Sequence, residues 1–441
     1  MKKKLFSFFV LSISAAMIFS ACGGKTESVN TNAGGGDESS DAVTIRVWTH
    51  QNDAFNEGLE TLAESYMAAN PGVSIVFETF DYDTYIQTLQ TALPAGTEAD
   101  ILQMFGSWVC SYADGGNLAE LPADVLSLAD AEAAIFPAQL AGYNCGDTLY
   151  GVPQEFNIEY GAVLVNTALA EEAGIENITD GWASWDDFIA DAKQLVVLQD
   201  GVMTQAGYNF TASDAIPATF YSLILQNGGA YLVDGTFDVT TPEAEEALTF
   251  MMRLVDEGLV DPVLFNDEEN WVGDCYFDEM CAIGLVGPWV VPEYAGDYPD
   301  VVEYTQYVPL PYFGGEPKLV AASGWGLSVS ANSEVQAAAW DFIAYVTLNA
   351  ENAVQWNLTS GTLPALIANA SGAAADDLVA AFPHFKPFLS ILEFAQGEGA
   401  FPDRDLVWYD ITYPHIINFL QGNMSLEETL DTIEREVNES Y

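Results

Sequence analysis

The chain has 441 residues, with 65 acidic and 11 basic side chains and a formal net charge of −54, yet half of it is hydrophobic and 12% is aromatic. That apolar content excludes a disordered acidic tail. The scarcity of Lys and Arg excludes a nucleic-acid surface, which needs clustered cations to neutralise phosphates, and the length suits roughly two domains.

Lys2, Lys3 and Lys4 precede an apolar stretch from Leu5 to Phe19. It is shorter than the about 20 residues that span a bilayer and suits a secretory signal. Phe19-Ser20-Ala21-Cys22 resembles a bacterial lipobox, with Phe19 where Leu is usual. The expectation is a signal peptide over 1–21 and a lipidated Cys22 that anchors the mature chain to the membrane. Residues 22–42 are Gly, Ser, Thr, Asn and acid without an apolar run, the composition of a flexible tether.

Beyond the tether, strands and helices alternate. Val43 to Trp48 reads as a β-branched strand, and Phe55 to Met67 as a helix with Leu59, Leu62, Ala63 and Tyr66 on one face. Asn70-Pro71-Gly72 is a turn before a strand at Val73 to Phe77. Tyr85 to Leu93 reads as a helix ending at Pro94, and Asp100 to Met104 as a third strand. Ser184 to Asp187 and Thr241-Pro242-Glu243 are helix starts, Ile283 to Val286 is a strand, and Ser425 caps a final amphipathic helix. This βαβ rhythm is that of an α/β protein, whose ligands sit at the carboxyl ends of the strands.

Cys110, Cys145, Cys275 and Cys281 allow two disulfides in three connectivities. Cys110–Cys145 and Cys275–Cys281 are favoured because each closes a short loop. None lies in a CxxC, and the three histidines, His50, His384 and His415, show no zinc spacing, so neither metal nor cofactor is expected.

The order of segments resembles family 1 of the extracellular solute-binding proteins, the maltose-binding-protein group. The resemblance rests on Trp48 to Phe55, Asn70-Pro71-Gly72, Ala99-Asp100-Ile101, Tyr150-Gly151-Val152-Pro153, Ser184 to Phe188, Gly287-Pro288-Trp289, Val308 to Pro311 and Ala339 to Ile343, and covers about 43–441. It implies a two-lobed periplasmic-binding-protein-like fold of type II with three crossovers between lobes and a ligand in the cleft. The N-terminal lobe would take 43–156 plus 306–345, and the C-terminal lobe 157–305 plus 346–441. A monomer would close on a small-molecule ligand and deliver it to ABC permease subunits in the membrane.

A pyranose offers an apolar C–H face for an aromatic ring and hydroxyls for carboxylate, amide and imidazole partners. The stretches that match the family place such groups at His50, Asn52 and Asp53, at Ser107 and Trp108, and at Asn157 and Glu159. Trp289 aligns with a stacking tryptophan, as does Trp408; Asp81 and Tyr82 are added from a weaker segment, and Trp325 lies where the family approaches its ligand with backbone. Trp48, Trp185 and Trp340 read as core, Trp271 and Trp356 are open, and His384 and His415 read as structural.

The few cations left after processing favour an uncharged ligand, a neutral sugar or oligosaccharide, over uronates and sugar phosphates, which want Arg or Lys forks. A polyamine held by aromatics with Asp53 and Asp81 is the alternative. An exported glycosidase with two carboxylates is the less favoured enzymatic reading. No Gly-x-Ser-x-Gly elbow or phosphate-cradling loop supports other chemistry. The charge of −54 is spread over many elements, so it acts through solvation and self-repulsion and fits a saline setting. The melting temperature is therefore expected to rise as salt shortens the screening length from ~30 Å at 0.01 M to ~3 Å at 1 M; a melting temperature indifferent to salt contradicts this.

Overall fold

The computed structural model describes residues 42–440 apart from 234, 400 and 402. The expected signal peptide, Cys22 and all but the last tether residue lie outside the described residues. No described helix is long and apolar enough to cross a membrane.

The chain begins with β1 (Val43–His50), α1 (Asp53–Ala69), β2 (Val73–Phe80), α2 (Tyr82–Ala95), β3 (Ile101–Phe105) and α3 (Gly106–Asp114). β1 pairs in parallel with β2 and β3, and the sheet continues through Trp325–Val329 and Val152–Pro153, both antiparallel. Because β1 lies between β2 and β3, the connections leave it in opposite directions. A crevice opens at its carboxyl end, where His50 and Phe105 finish their strands. The last two strands can approach closely because Gly326 has no side chain: a Cβ there would lie 2.4 Å from the Val152 carbonyl.

Asn52 caps α1 by accepting the Phe55 N–H at 3.0 Å, and Phe55, Leu59, Leu62, Ala63 and Tyr66 turn inward. α2 starts earlier than the expected Tyr85, because Asp81 accepts the Thr84 N–H at 3.0 Å and so caps it. Pro94 does not end it but sits in the final turn, where only one helical bond is forgone, and Gly96 closes it at φ 63°.

A second sheet orders Ile283–Gly284, Ala162–Asn166 and Thr305–Pro309 in antiparallel pairs. The strand expected to reach Val286 stops at Gly284, since the Leu285 N–H turns to the Asn209 carbonyl at 2.9 Å. Helix Ala215–Gln226 is buried along its whole length, packed on strand Leu319–Ala321 and on helix Pro242–Asp256 with its Thr241 cap.

Two hydrophobic cores result, and the chain passes between them near residues 155, 322 and 361. The expected lobe limits are shifted. Residues 305–309 pair with 162–166, and 319–321 with 395–397, so both stretches belong to the second core rather than to the first. Helix Ala350–Ser360 packs on α1 instead, through Trp356, whose ring lies 5.2 Å from that of Phe55 and whose indole N–H donates to the Phe55 carbonyl at 3.3 Å. Hydrophobic partner faces, not chain continuity, decide these memberships.

Cys110 and Cys145 form a disulfide that ties α3 to Asn144–Cys145. The second expected bridge is absent: Cys275 and Cys281 are free, buried thiols. The turn after helix Val272–Phe277 brings the Cys281 N–H to the Cys275 carbonyl at 3.1 Å and sets the thiols side by side as a hydrogen-bonded pair, while burial pushes the Cys281 thiol pKa up. Unfolding without reductant should expose Cys275 and Cys281, but not Cys110 or Cys145, to a thiol reagent read by peptide mass. Replacing Cys110 by Ala opens a loop with a sequence separation of 35 and should cost about 3–4 kcal/mol in denaturant unfolding.

Candidate functional site

A cavity of about 280 Å³ opens at the carboxyl ends of β1 and β3. One wall is aromatic. The His50 ring stacks on Trp325 at 4.2 Å and 14°, with Phe105 at 5.3 Å and Tyr82 at 6.3 Å edge-on to the same indole. His50 Nδ1 lies 2.7 Å from Gln103 Oε1. Burial drives its pKa down to about 4 against that hydrogen bond, so the imidazole is neutral at physiological pH.

The lining also carries carboxylates held by N–H and O–H donors. Glu159 Oε1 accepts the Trp289 indole N–H at 2.8 Å, and Oε2 accepts the Gly287 N–H at 2.6 Å. The ring of Trp289 is braced from behind by Trp271, stacked at 6.0 Å. Glu155 accepts the Trp325 backbone N–H at 2.9 Å, and Asp214 accepts the Tyr409 hydroxyl at 2.6 Å. Burial lifts Glu155 to about 7, opposed by the Trp325 N–H. Burial, with the Asp214 charge adding to it, lifts Glu159 to about 8.

Arg404 completes the lining. Its Nε donates to Glu398 at 3.0 Å and its Nη1 to Asp405 at 3.2 Å, while its guanidinium lies over the Trp408 ring at 4.1 Å. Burial disfavours its charge, but Tyr409, Glu398 and Asp405 hold it protonated.

The structure brings seven of the expected residues to this cavity: His50, Asn52, Tyr82, Asn157, Glu159, Trp289 and Trp325. The Trp325 backbone is already engaged, its N–H given to Glu155 and its carbonyl taking the Gln154 N–H, while its ring stacks on His50. The other expected residues lie elsewhere. Asp53 opens α1 and lines a separate surface groove with Glu57 and Glu60. Asp81 caps α2, where the hydrogen bonds from Thr84 hold its carboxyl below the usual range. Ser107 and Trp108 line a neighbouring cavity of about 490 Å³ with Tyr112, Asp403 and Asp410. There the Trp108 indole N–H donates to Asp405 at 2.7 Å.

Trp408 is fully buried beneath Arg404, and its neighbour Tyr409 lines the cavity instead. The cause is a π-helical turn over Leu406–Thr412, whose wider winding sends Trp408 into the core. His384 is buried among Tyr307, Phe382 and Phe385, and His415 pairs with Glu436 at 2.8 Å. Sequence reasoning missed Glu155, Asp214, Arg404, Asp405 and Tyr409; of these only Glu155, two residues before Asn157, and Tyr409, beside Trp408, had a neighbouring signal. Among the described residues no cluster of three or more His, Cys, Asp or Glu could hold a metal ion.

Residues 49–353 match the family of bacterial extracellular solute-binding proteins. A candidate binding protein of Brucella abortus is 27% identical over 230 residues, 51% of this chain and 53% of that protein, so the chain spans about half the length of this relative. A maltotriose-binding protein of Pyrococcus abyssi is 24% identical over 334 residues, 73% of this chain and 66% of that one. Among solved structures, the GacH receptor of Streptomyces glaucescens, crystallised unliganded and with acarbose, has a TM-score of 0.73 at 20% identity, covering 91% of this chain and 99% of that one.

The two buried glutamates make a pH signature. Unfolded carboxyls release their protons near 4.5, whereas the folded chain keeps those of Glu155 and Glu159 to about 7 and about 8. The folded state therefore binds more protons across this window, and stability falls as pH rises through it. The melting temperature of the ligand-free protein should rise as pH is lowered from 8 to 6. Replacing both glutamates by Gln should flatten that rise, and an unchanged slope contradicts the assignment.

Proposed function

The chain belongs to the bacterial extracellular solute-binding proteins, and from that footing we propose that it captures a sugar or oligosaccharide without acidic groups between its two lobes and delivers it to an ABC permease. Hinge closure traps the ligand, the protein works as a monomer, and lipid on Cys22 tethers it to the outer side of the cell membrane. It binds without converting its ligand.

One observation carries this reading. The Trp289 ring is held beside Glu159 by its own indole N–H, facing a cavity whose other wall is the His50–Trp325 stack. A pyranose needs that combination of flat apolar face and fixed acceptors, which also orient its hydroxyls. Sugar binding by relatives adds support: a maltotriose-binding protein matches along most of this chain, and the similar GacH receptor has been crystallised with acarbose. Several carboxylates line the cavity, which favours a polyamine as the second reading and disfavours uronates.

A thermal-shift screen over mono- and oligosaccharides, polyamines and sugar acids tests the assignment. A ligand at 100 times its dissociation constant should add about 2.7 kcal/mol of stability. Trp289→Ala should weaken the best sugar at least about tenfold, the loss expected when a stacked aromatic is removed. Spermidine binding without any response to sugars, or turnover of the sugar, overturns the reading.

A further inference from the structure

The cavity has an unbalanced charge. Among the described residues five carboxylates line it, those of Glu155, Glu159, Asp214, Glu293 and Asp405, against the single guanidinium of Arg404. Arg404 is not free to balance them. It is already bound to Glu398 behind it and to Asp405 at its side, so this trio alone carries a surplus negative charge. His50, held neutral, supplies no cation. Glu155 and Glu159 are 3% and 5% exposed, too dry for water to compensate them. Buried charge without a partner is unstable, so the empty cavity must hold protons or receive a cation.

The aromatic lining suits the second outcome. The Trp289 indole N–H is donated to Glu159 and the Tyr409 hydroxyl to Asp214, so each carboxylate lies at the polar edge of an aromatic side chain of the cavity lining, and of the two rings Tyr409 is already covered by Arg404 at 4.7 Å. Carboxylate plus π face is how proteins hold an ammonium group, and the same rings take the apolar face of a pyranose. A neutral sugar uses only the second property. A simple polyamine uses only the first and has no hydroxyls for the amides of Asn52 and Asn157 that also line the cavity.

We infer that the ligand is a basic amino sugar, a mono- or oligosaccharide whose protonated amine sits among Glu155, Glu159 and Asp214 while its pyranose faces pack on Trp289 and Trp325. The inference rests on the sugar reading above and names the sugar's chemical class. On binding, the ammonium draws Glu155 and Glu159 into their ionised forms, so protons are released to solvent.

The test compares glucosamine and galactosamine and their short oligomers with their N-acetylated twins, with unsubstituted sugars and with spermidine, by calorimetry on the full chain. An aminated sugar should bind at least tenfold tighter than its acetylated twin at pH 7. That advantage should shrink at pH 5, where Glu155 and Glu159 keep their protons, and calorimetry in buffers of different ionisation enthalpy should register proton release. Asp214→Asn and Glu155→Gln should each bring the affinity ratio of an aminated sugar to its acetylated twin to within about threefold, whatever they do to sugar binding itself, and a ratio that stays at tenfold or more in both variants contradicts the inference. If unsubstituted or acetylated sugars bind as well as the aminated ones, the inference fails and the sugar reading stands. Spermidine binding with no response to any sugar overturns both, and the absence of binding by every aminated sugar overturns the inference.

Discussion

A guanidinium that is 3% exposed must be neutralised where it lies, and the arrangement of the cleft follows from how Arg404 meets that demand. Its Nε bonds to Glu398, itself 3% exposed. The other oxygen of Glu398 takes the Ser323 hydroxyl at 2.5 Å and the Ser323 N–H at 3.3 Å, so the ion pair grips the point where the chain returns to the first core. On its other side Arg404 holds Asp405, which receives the indole N–H of Trp108 from α3. One buried cation thus connects the returning strand, the first helix after β3 and the segment that supplies Tyr409. Losing either partner leaves a stranded charge and loosens all three together.

The return itself is built to leave no polar backbone unpaired. Gln139 is fully buried and spans the crossing, donating to the Ala322 carbonyl at 3.0 Å and accepting the Gly324 N–H at 2.7 Å. The Tyr143 hydroxyl reaches the carbonyls of Met104 and Gly324 at 2.9 and 2.7 Å. Glu155 then takes the next N–H, that of Trp325. The same hydrogen bond that satisfies the crossing strand also aims the Trp325 ring and fixes a carboxylate at the cavity, so backbone bookkeeping and ligand geometry are one set of contacts.

Much of the fold was legible because local rules and tertiary packing agree there. The β-branched run from Val43, the caps at Ser184 and Thr241, and the inward faces of Trp185 and Trp340 all appear as periodicity implied. Lobe membership was not legible: residues 305–321 and 350–360 look alike as α/β sequence, and only the strand or helix that covers them decides where they go. At the site, residues directly following strand ends were readable, since the carboxyl ends of parallel strands face the crevice. Asp214 and Arg404 were not: Asp214 is a lone acid just ahead of helix Ala215–Gln226, and Arg404 stands between Asp403 and Asp405 like any cation on a solvated surface. The scarcity of cations was read as favouring an uncharged ligand; in the structure the one cation at the cavity is consumed by its neighbours, and the surplus is of anions. Trp408 failed for a different reason. It was assigned by alignment with a stacking tryptophan of the family, and a π-helical turn carries that position into the core without any compositional mark.

The wide turn at Leu406–Thr412 also has an evolutionary consequence. A π turn is equivalent to an α-helix that has accepted one extra residue, so deleting a single codon inside it restores ordinary winding at small cost to the flanking helix. Because the wide turn absorbs the extra residue, such a deletion leaves the flanking residues in register and shifts only the side chains of the turn itself. The side chain offered to the cavity at the position of Tyr409 would change in one step, with repacking confined to Val407, Trp408 and Ile411, which the turn buries in the second core. Descendants of this chain can thus acquire a new ligand preference by changing length rather than by accumulating substitutions.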